Sequence, residues 1–359
     1  MATNGEIEAV IDPDRIIIDA HHHLHGRFEI PAGSPLSGQE ERVGIERQFL
    51  VDDYAAAVEG CNVVASVAIE AGGMYRRSGP DHLKPVGETE YLNGQAAMAA
   101  SGAYGPCQVA AAIMAKGDLM AGSRVREILE AHKAAAPDRF RGVRQTAGWD
   151  KDPSVFGWMY PFVEAEMYAR EDFREGFSVL QSMGLVFDAF ILSPQMDDIC
   201  SLARAFPGAP IVVNHLAVPV GVGRFAGRLE EEFPNWRAGM ARMAQNENVL
   251  MKIGGLGSLV SEFPSFMARP PFTSQQLADE WRPYVETAIE LFGADRCMFN
   301  SDLPTNRSGT FRTLSNAYKH ITADCSENEK QAIFAGTAAR VYDLDLSALA
   351  DERMEGAGE

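Results

Sequence analysis

Four of the eight histidines in this 359-residue chain fall within five positions: His21, His22, His23 and His25. They follow Arg15-Ile-Ile-Ile-Asp-Ala20, whose three consecutive β-branched apolar residues predict a short, fully buried strand. Side chains alternate along a strand, so His21 and His23 should point to one side at its end. Two imidazoles aimed at one point share a metal ion or grip one substrate oxygen. The register His23 with His25 is the other choice; His21 with His23 is preferred because it lies nearer the strand. The plain alternative is a solvated loop or a chance metal-binding tract, yet a buried strand feeding an H-x-H has little structural use.

Such groups need a frame. Eight short apolar runs recur: Ile16–Ala20, Val63–Ala71, Cys107–Met114, Phe140–Gln145, Leu185–Leu192, Pro210–His215, Val249–Gly254 and Arg296–Ser301. Helical patterns separate them at Val51–Glu59, Glu88–Ser101, Asp118–Ala136, Arg170–Ser182, Met196–Ala205, Glu231–Asn246, Ser274–Leu291 and Thr313–Ile321. A last one, Glu327–Tyr342, would cap the barrel. Strands alternating with helices imply βαβ units and a parallel sheet. Eight repeats predict an α/β fold of one kind, a closed (β/α)8 TIM barrel, with residues 1–359 as a single domain. Two connections, Gly26–Leu50 and Gly72–Gly87, are long for βα loops. Both follow strand ends, so both should lie over the C-terminal face as lids or substrate walls.

Composition narrows the class. Apolar residues make up 46% of the chain, ample for a large core. A formal charge of −18 with no basic cluster argues against nucleic acid as a partner. No apolar run reaches membrane-spanning length, and the polar Met1–Asp14 does not read as a signal peptide. Cys61, Cys107, Cys200, Cys297 and Cys325 are scattered without C-x-x-C spacing, which fits reduced thiols and a cytoplasmic location. There is no glycine-rich nucleotide motif. A small-molecule substrate is the expected partner, and the acidic helices leave room for a homodimer.

In such barrels chemistry gathers at the C-terminal strand ends. Those ends carry His21 and His23, then Glu70, Arg144-Gln145, Asn214-His215, Lys252, and Asn300-Ser-Asp-Leu-Pro304. Each has a structural alternative. Glu70 and Lys252 would serve as ion-pair partners of each other or of Arg144; His215 as an interior histidine; Asp302 as a helix cap. Ionisable groups ending so many strands of one barrel argue for a shared site.

These residues resemble a known family. Asp19-Ala-His-His-His-Leu24, Gly142-Val-Arg-Gln145, Asn214-His-Leu216, Asn248-Val-Leu-Met-Lys-Ile-Gly-Gly-Leu256 and Phe299-Asn-Ser-Asp-Leu-Pro304 look like the amidohydrolase superfamily. The branch is the amidohydrolase-related one, which includes sugar-lactone and dicarboxylate lactonases. The tail Phe334–Tyr342 is similar to the family's closing helix, with Thr337 where the family more often has Asn. The resemblance makes His21, His23, His215 and Asp302 the candidate metal ligands, and Asp302 the acceptor of a proton from the attacking water. One departure matters. Many metal-dependent members end the fifth strand with a histidine, and here that end reads Ile191-Leu-Ser-Pro194. No carboxylated-lysine bridge is evident either, so at most one divalent metal, zinc or manganese, is expected, and a metal-free mechanism stays open.

The resulting expectation is a lactonase opening a small carboxylated or sugar-derived lactone. Asp302, His215 and Arg144 are its catalytic candidates, with His21, His23 and His215 polarising the ester carbonyl. Arg144 would hold a substrate carboxylate or the oxyanion, helped by Arg76, Arg77, Arg307, Glu70 and Lys252. The alternative is a metal-dependent decarboxylase or hydratase of an unsaturated or aromatic acid on the same barrel.

Overall fold

The computed structural model describes residues 8–27, 48–157, 159 and 163–349. Its eight strands are β1 (Ile17–His22), β2 (Val63–Ile69), β3 (Gln108–Lys116), β4 (Phe140–Thr146), β5 (Val186–Phe190), β6 (Ile211–Val213), β7 (Val249–Lys252) and β8 (Cys297–Met298). They pair in sequence order, every pair parallel. Between them run α1 (Val51–Val58), α2 (Val86–Ala99), α3 (Val125–Ala135), α4 (Glu171–Ser182), α5 (Met196–Ala205), α6 (Leu229–Ala244), α7 (Ser274–Phe292) and, after β8, α8 (Phe311–Ile321). The fold is the (β/α)8 barrel expected from the alternation.

Two apolar layers explain the continuous hydrophobic strands. Ile17, Val63, Ile113, Phe187, Ile211 and Met251 face outward and pack in the large core shared with the helices. Ile18, Ala20, Val64, Met114, Val212, Leu250 and Met298 face inward. The chain's last helical stretch closes the interior from below. It runs through α9 (Glu327–Gln331), a π-helical segment (Ala332–Gly336) and α10 (Thr337–Val341), and inserts Ala335, Ala338 and Tyr342 into the inward layer. The expected cap is therefore present. No helix among the described residues is long and apolar enough to cross a membrane. The five cysteines are free thiols.

The seam between β8 and β1 is closed mostly beyond β8. Ala20 N donates to Phe299 O (3.2 Å), Asp302 N to His21 O (2.9 Å) and His23 N to Leu303 O (2.8 Å). The buried Asp19 carboxylate reinforces it, accepting from Ser301 N (2.8 Å), Ser301 Oγ (2.6 Å) and Tyr54 Oη (2.9 Å) of α1. The first and last candidate motifs are thus neighbours in one hydrogen-bonded mesh.

Every strand's C-terminal end differs from the sequence expectation by one to three residues, and three of these differences shape the site. The sixth strand was expected to reach His215 and stops at Val213. The chain there enters a left-handed turn, with φ of 53°, 57°, 55° and 39° at His215, Leu216, Ala217 and Val218. The eighth strand spans two residues, because its continuation pairs with β1 through single bonds only. The first strand extends to His22 and carries a bulge: Asp19 to His22 lies against only Ser66 to Ala68. The expected lid Gly26–Leu50 falls mostly outside the described residues; its base is pinned where His25 and Phe49 exchange backbone hydrogen bonds of 2.9 Å. The second long loop, 72–87, rests Met74 against Gly26 at the mouth of β1.

Candidate active site

The bulge in β1 aims the histidines. Ile18 and Ala20 face the interior, so unbroken alternation would send His22 inward. The extra residue shifts the phase. His22 instead stacks on Tyr54 outside the barrel, ring centroids 4.1 Å apart. His21 and His23 turn inward, their Nε2 atoms 3.3 Å apart.

His215 arrives from the left-handed turn after β6. Each left-handed non-glycine residue costs about 1–2 kcal/mol, so four in a row need support. Trp236 Nε1 of α6 donates to Leu216 O (2.9 Å) and Ser193 N to Val218 O (3.1 Å). The turn places His215 Nε2 3.6 Å from Asp302 Oδ1. His21 Nε2 and His23 Nε2 lie 3.5 and 3.6 Å from the same oxygen. Three histidines drawn from two distant parts of the chain therefore converge on one carboxylate oxygen of Asp302.

Hydrogen bonds behind the rings set their protons. His23 Nδ1 faces Ile69 O at 3.0 Å, and His215 Nδ1 faces Gly254 O at 3.0 Å. Carbonyls only accept, so both rings donate from Nδ1 and keep an Nε2 lone pair toward Asp302. His21 Nδ1 faces Lys252 Nζ at 3.3 Å. Burial holds the His21, His23 and His215 pKa values down, that of His23 to about 3, and pushes that of Asp302 up against the pull of His215 and Arg144. The His21 side chain is 0% exposed, whereas those of His23, His215, Asp302 and Arg144 keep 9, 6, 4 and 9%. An incoming molecule meets those four and not His21.

Lys252 sits beneath, fully buried, with Nζ 2.5 Å from Asp188 Oδ2 of β5. Tyr342 Oη donates to the other Asp188 oxygen at 3.2 Å. Burial lowers the Lys252 pKa and the Asp188 charge opposes that. The ion-pair alternative weighed for Lys252 from sequence holds in kind, with Asp188 as partner in place of Glu70 or Arg144.

Arg144 has a partner too. Its Nε donates to Glu70 Oε1 (2.8 Å) and its Nη2 to Glu70 O (2.6 Å). Burial raises the Glu70 pKa, but Arg144 and Lys116 outweigh it and keep it below the usual range. Next to this pair, Glu88 of α2 accepts from Ala71 N (2.7 Å) and Gly73 N (3.2 Å) through Oε1, while its Oε2 is buried with no hydrogen-bond partner among the described residues. Burial, then the Glu70 charge, push the Glu88 carboxyl up to about 8. Of the loop arginines, Arg76 is paired with Glu90 of α2, Arg77 is exposed on the same loop, and Arg307 lies after β8 with its backbone N–H on Gly257 O.

Sequence reasoning passed over Asp188, Glu88 and Tyr342. A lone acid inside the apolar run Leu185–Leu192 was the available signal for Asp188, since a buried charge requires a partner. Glu88 had no such signal; it looks like any first-turn helix acid.

By spacing, the donor set fits one divalent ion. His21, His215 and Asp302 offer ligand atoms that all lie within 4.8 Å of one another. Zinc holds such atoms at about 2.0–2.2 Å, which spaces tetrahedral neighbours roughly 3.3 Å apart. The His23 and His215 lone pairs are also correctly backed by carbonyls.

Comparison with known proteins agrees with this picture. An uncharacterised protein of Sinorhizobium fredii, y4mH, is 31% identical over 336 residues, which is 92% of this chain and 99% of that one. An L-fucono-1,5-lactonase of Burkholderia ambifaria is 26% identical over 167 residues, 45% of this chain and 51% of its own length. A crystal structure of an amidohydrolase from Burkholderia multivorans with bound zinc shares the fold, at TM-score 0.68 and 23% identity over 92% of this chain and 100% of that one. The profile of the family described as Amidohydrolase matches residues 18–344. Spanned by that profile from its first strand to its closing helix, the chain belongs to the Amidohydrolase family and is a hydrolase of the amidohydrolase superfamily.

Proposed function

We propose that the enzyme is a lactonase that opens a hydroxylated, sugar-derived lactone. The observation that carries this reading is the single Asp302 oxygen ringed by three imidazole Nε2 atoms at 3.5–3.6 Å. A water there meets a carboxylate and two lone-pair nitrogens, all acceptors for its protons. Asp302 takes one proton as the water oxygen bonds to the lactone carbonyl carbon. The ring C–O bond then breaks, and the departing alkoxide takes the proton from Asp302. The product acid ionises and releases one proton to solution.

His21, His23, His215 and Asp302 would hold a divalent ion, and a bound ion polarises the carbonyl. The chain's own contribution to the oxyanion is the Arg144 guanidinium.

The Arg144–Glu70 pair supports the hydroxylated class over the carboxylated one. A substrate carboxylate would have to compete with Glu70 for the fork of Arg144. Hydroxyl groups, which both donate and accept, match a side-by-side donor and acceptor better. The lactonase relative acting on a sugar lactone supports the same choice. The test is a panel of sugar lactones and carboxylated lactones, followed by proton release. Turnover of the hydroxylated members is expected. No turnover of any lactone, together with CO₂ release from an aromatic acid or hydration of an unsaturated one, would replace this reading with the decarboxylase or hydratase.

A further inference from the structure

We propose that Lys252 sets how tightly the histidine–aspartate cluster takes a metal ion, by holding a donor against the back of His21. An imidazole that ligates a metal through one nitrogen normally gives the proton on its other nitrogen to a carbonyl or carboxylate. His23 and His215 obey this rule: Ile69 O lies 3.0 Å behind the one, and Gly254 O lies 3.0 Å behind the other, nearer than Asn300 Nδ2 at 3.5 Å. His21 does not. Behind its Nδ1 stands Lys252 Nζ at 3.3 Å, and an ammonium only donates.

The His21 proton therefore belongs on Nε2, where an ion would need a lone pair. A second contact agrees with this assignment. His21 Nε2 lies 3.3 Å from His23 Nε2, whose lone pair is available, so an N–H on His21 makes a hydrogen bond there. Lys252 has nowhere to go. It is fully buried and ion-paired with Asp188, and Asp188 is held in turn by Tyr342 from the closing segment. Its charge also repels an arriving cation.

The conflict is specific to this ring. By spacing, His21 joins His215 and Asp302 as the compact triad, while His23 lies outside it. By available lone pair, His23 and His215 qualify and His21 does not. Lys252 is the reason the two criteria disagree, and Asp188 and Tyr342 are the positioning residues that keep it there. The inference does not depend on which substrate the enzyme opens.

Metal-stripped, full-length enzyme is titrated with zinc in competition with a chromophoric chelator. Lys252→Met keeps the bulk of the side chain and removes charge and donors. It should bind one zinc about ten- to hundredfold more tightly than wild type, the range over which outer partners tune metal affinity. Lys252→Arg, which keeps charge and donors, should show no gain. Because Lys252→Met leaves the Asp188 charge without its cation in the core, the double variant Lys252→Met/Asp188→Asn is measured beside it and should show the same gain. A merely structural role for Lys252 would weaken metal binding or leave it unchanged. Zinc affinity at or below wild type in the folded double variant, or an equal gain in Lys252→Arg, would overturn the proposal.

Discussion

Gly255 lies so close under His215 that a Cβ built on it would stand 1.9 Å from the ring Nδ1 and 2.5 Å from Cγ. Its φ of +84° is likewise suited to glycine. The residue is the seat of the imidazole that the left-handed turn delivers. Gly255→Ala must displace the ring, and a shift of about 1 Å at a reacting group costs on the order of 10² in rate. We expect kcat to fall by about that factor, with the protein still folded by circular dichroism. Unchanged kcat in Gly255→Ala would remove the seat from the argument.

Asp302 adopts φ 61°, a conformation that asparagine tolerates almost as well as aspartate. Asp302→Asn is therefore a clean removal of the proton acceptor. Loss of a general base typically costs about 10²–10⁴ in rate. The expected outcome is a fall of that size in kcat with KM nearly kept. Near wild-type turnover would take Asp302 out of the mechanism.

Glu70 governs which substrates Arg144 accepts. Glu70→Gln keeps an oxygen for Arg144 Nε but removes the competing charge. An uncompensated guanidinium favours anions, and a charged hydrogen bond is worth about 1.5–3 kcal/mol. The ratio of kcat/KM for carboxylated over neutral lactones should rise about tenfold or more in Glu70→Gln. An unchanged ratio would show that Arg144 does not meet the variable part of the substrate.

Glu88 should leave a mark on stability rather than on rate. Its carboxyl, pushed up to about 8 in the fold, lies above the ordinary glutamate value of 4.5, so the folded protein binds the proton more tightly than the unfolded chain. The associated stability is complete below the ordinary glutamate range and is lost as pH rises through about 8. At ~1.4 kcal/mol per pKa unit, the loss at high pH is at most about 5 kcal/mol. Glu88→Gln has no proton to lose and keeps the acceptor for Ala71 and Gly73. Urea unfolding at pH 6 and pH 9 should show a steeper loss in wild type than in Glu88→Gln. Parallel slopes would mean that Glu88 is ionised in the fold.

Much of this was legible in residues 15–25 and 299–304. A β-branched run ending in H-x-H, and an aspartate just beyond the last strand, name three members of the candidate site, and the eight apolar runs name the barrel. The conformation that brings them together was not legible. The bulge in β1 depends on how β2 pairs with it, and no local pattern announces it. The left-handed turn at His215 contains no glycine and is held by Trp236 and Ser193, residues remote in sequence. The pairing of Glu70 with Arg144 was among the alternatives read from the strand ends, and it is present. Asp188, which engages Lys252, was not, because its place opposite Lys252 is chosen by barrel geometry.

The seam between β1 and the segment after β8 has a consequence for synthesis of the chain. His21, His23 and the bonds that lock Asp302 beside them come from opposite ends of the sequence. A nascent polypeptide whose ribosome has not yet released Asn300–Pro304 exposes β1 as an unpaired strand edge, the kind of surface that chaperones shield from aggregation. Catalytic competence should therefore appear abruptly, only after translation has passed the last strand, and no truncated product ending before Phe299 should carry a fraction of the activity.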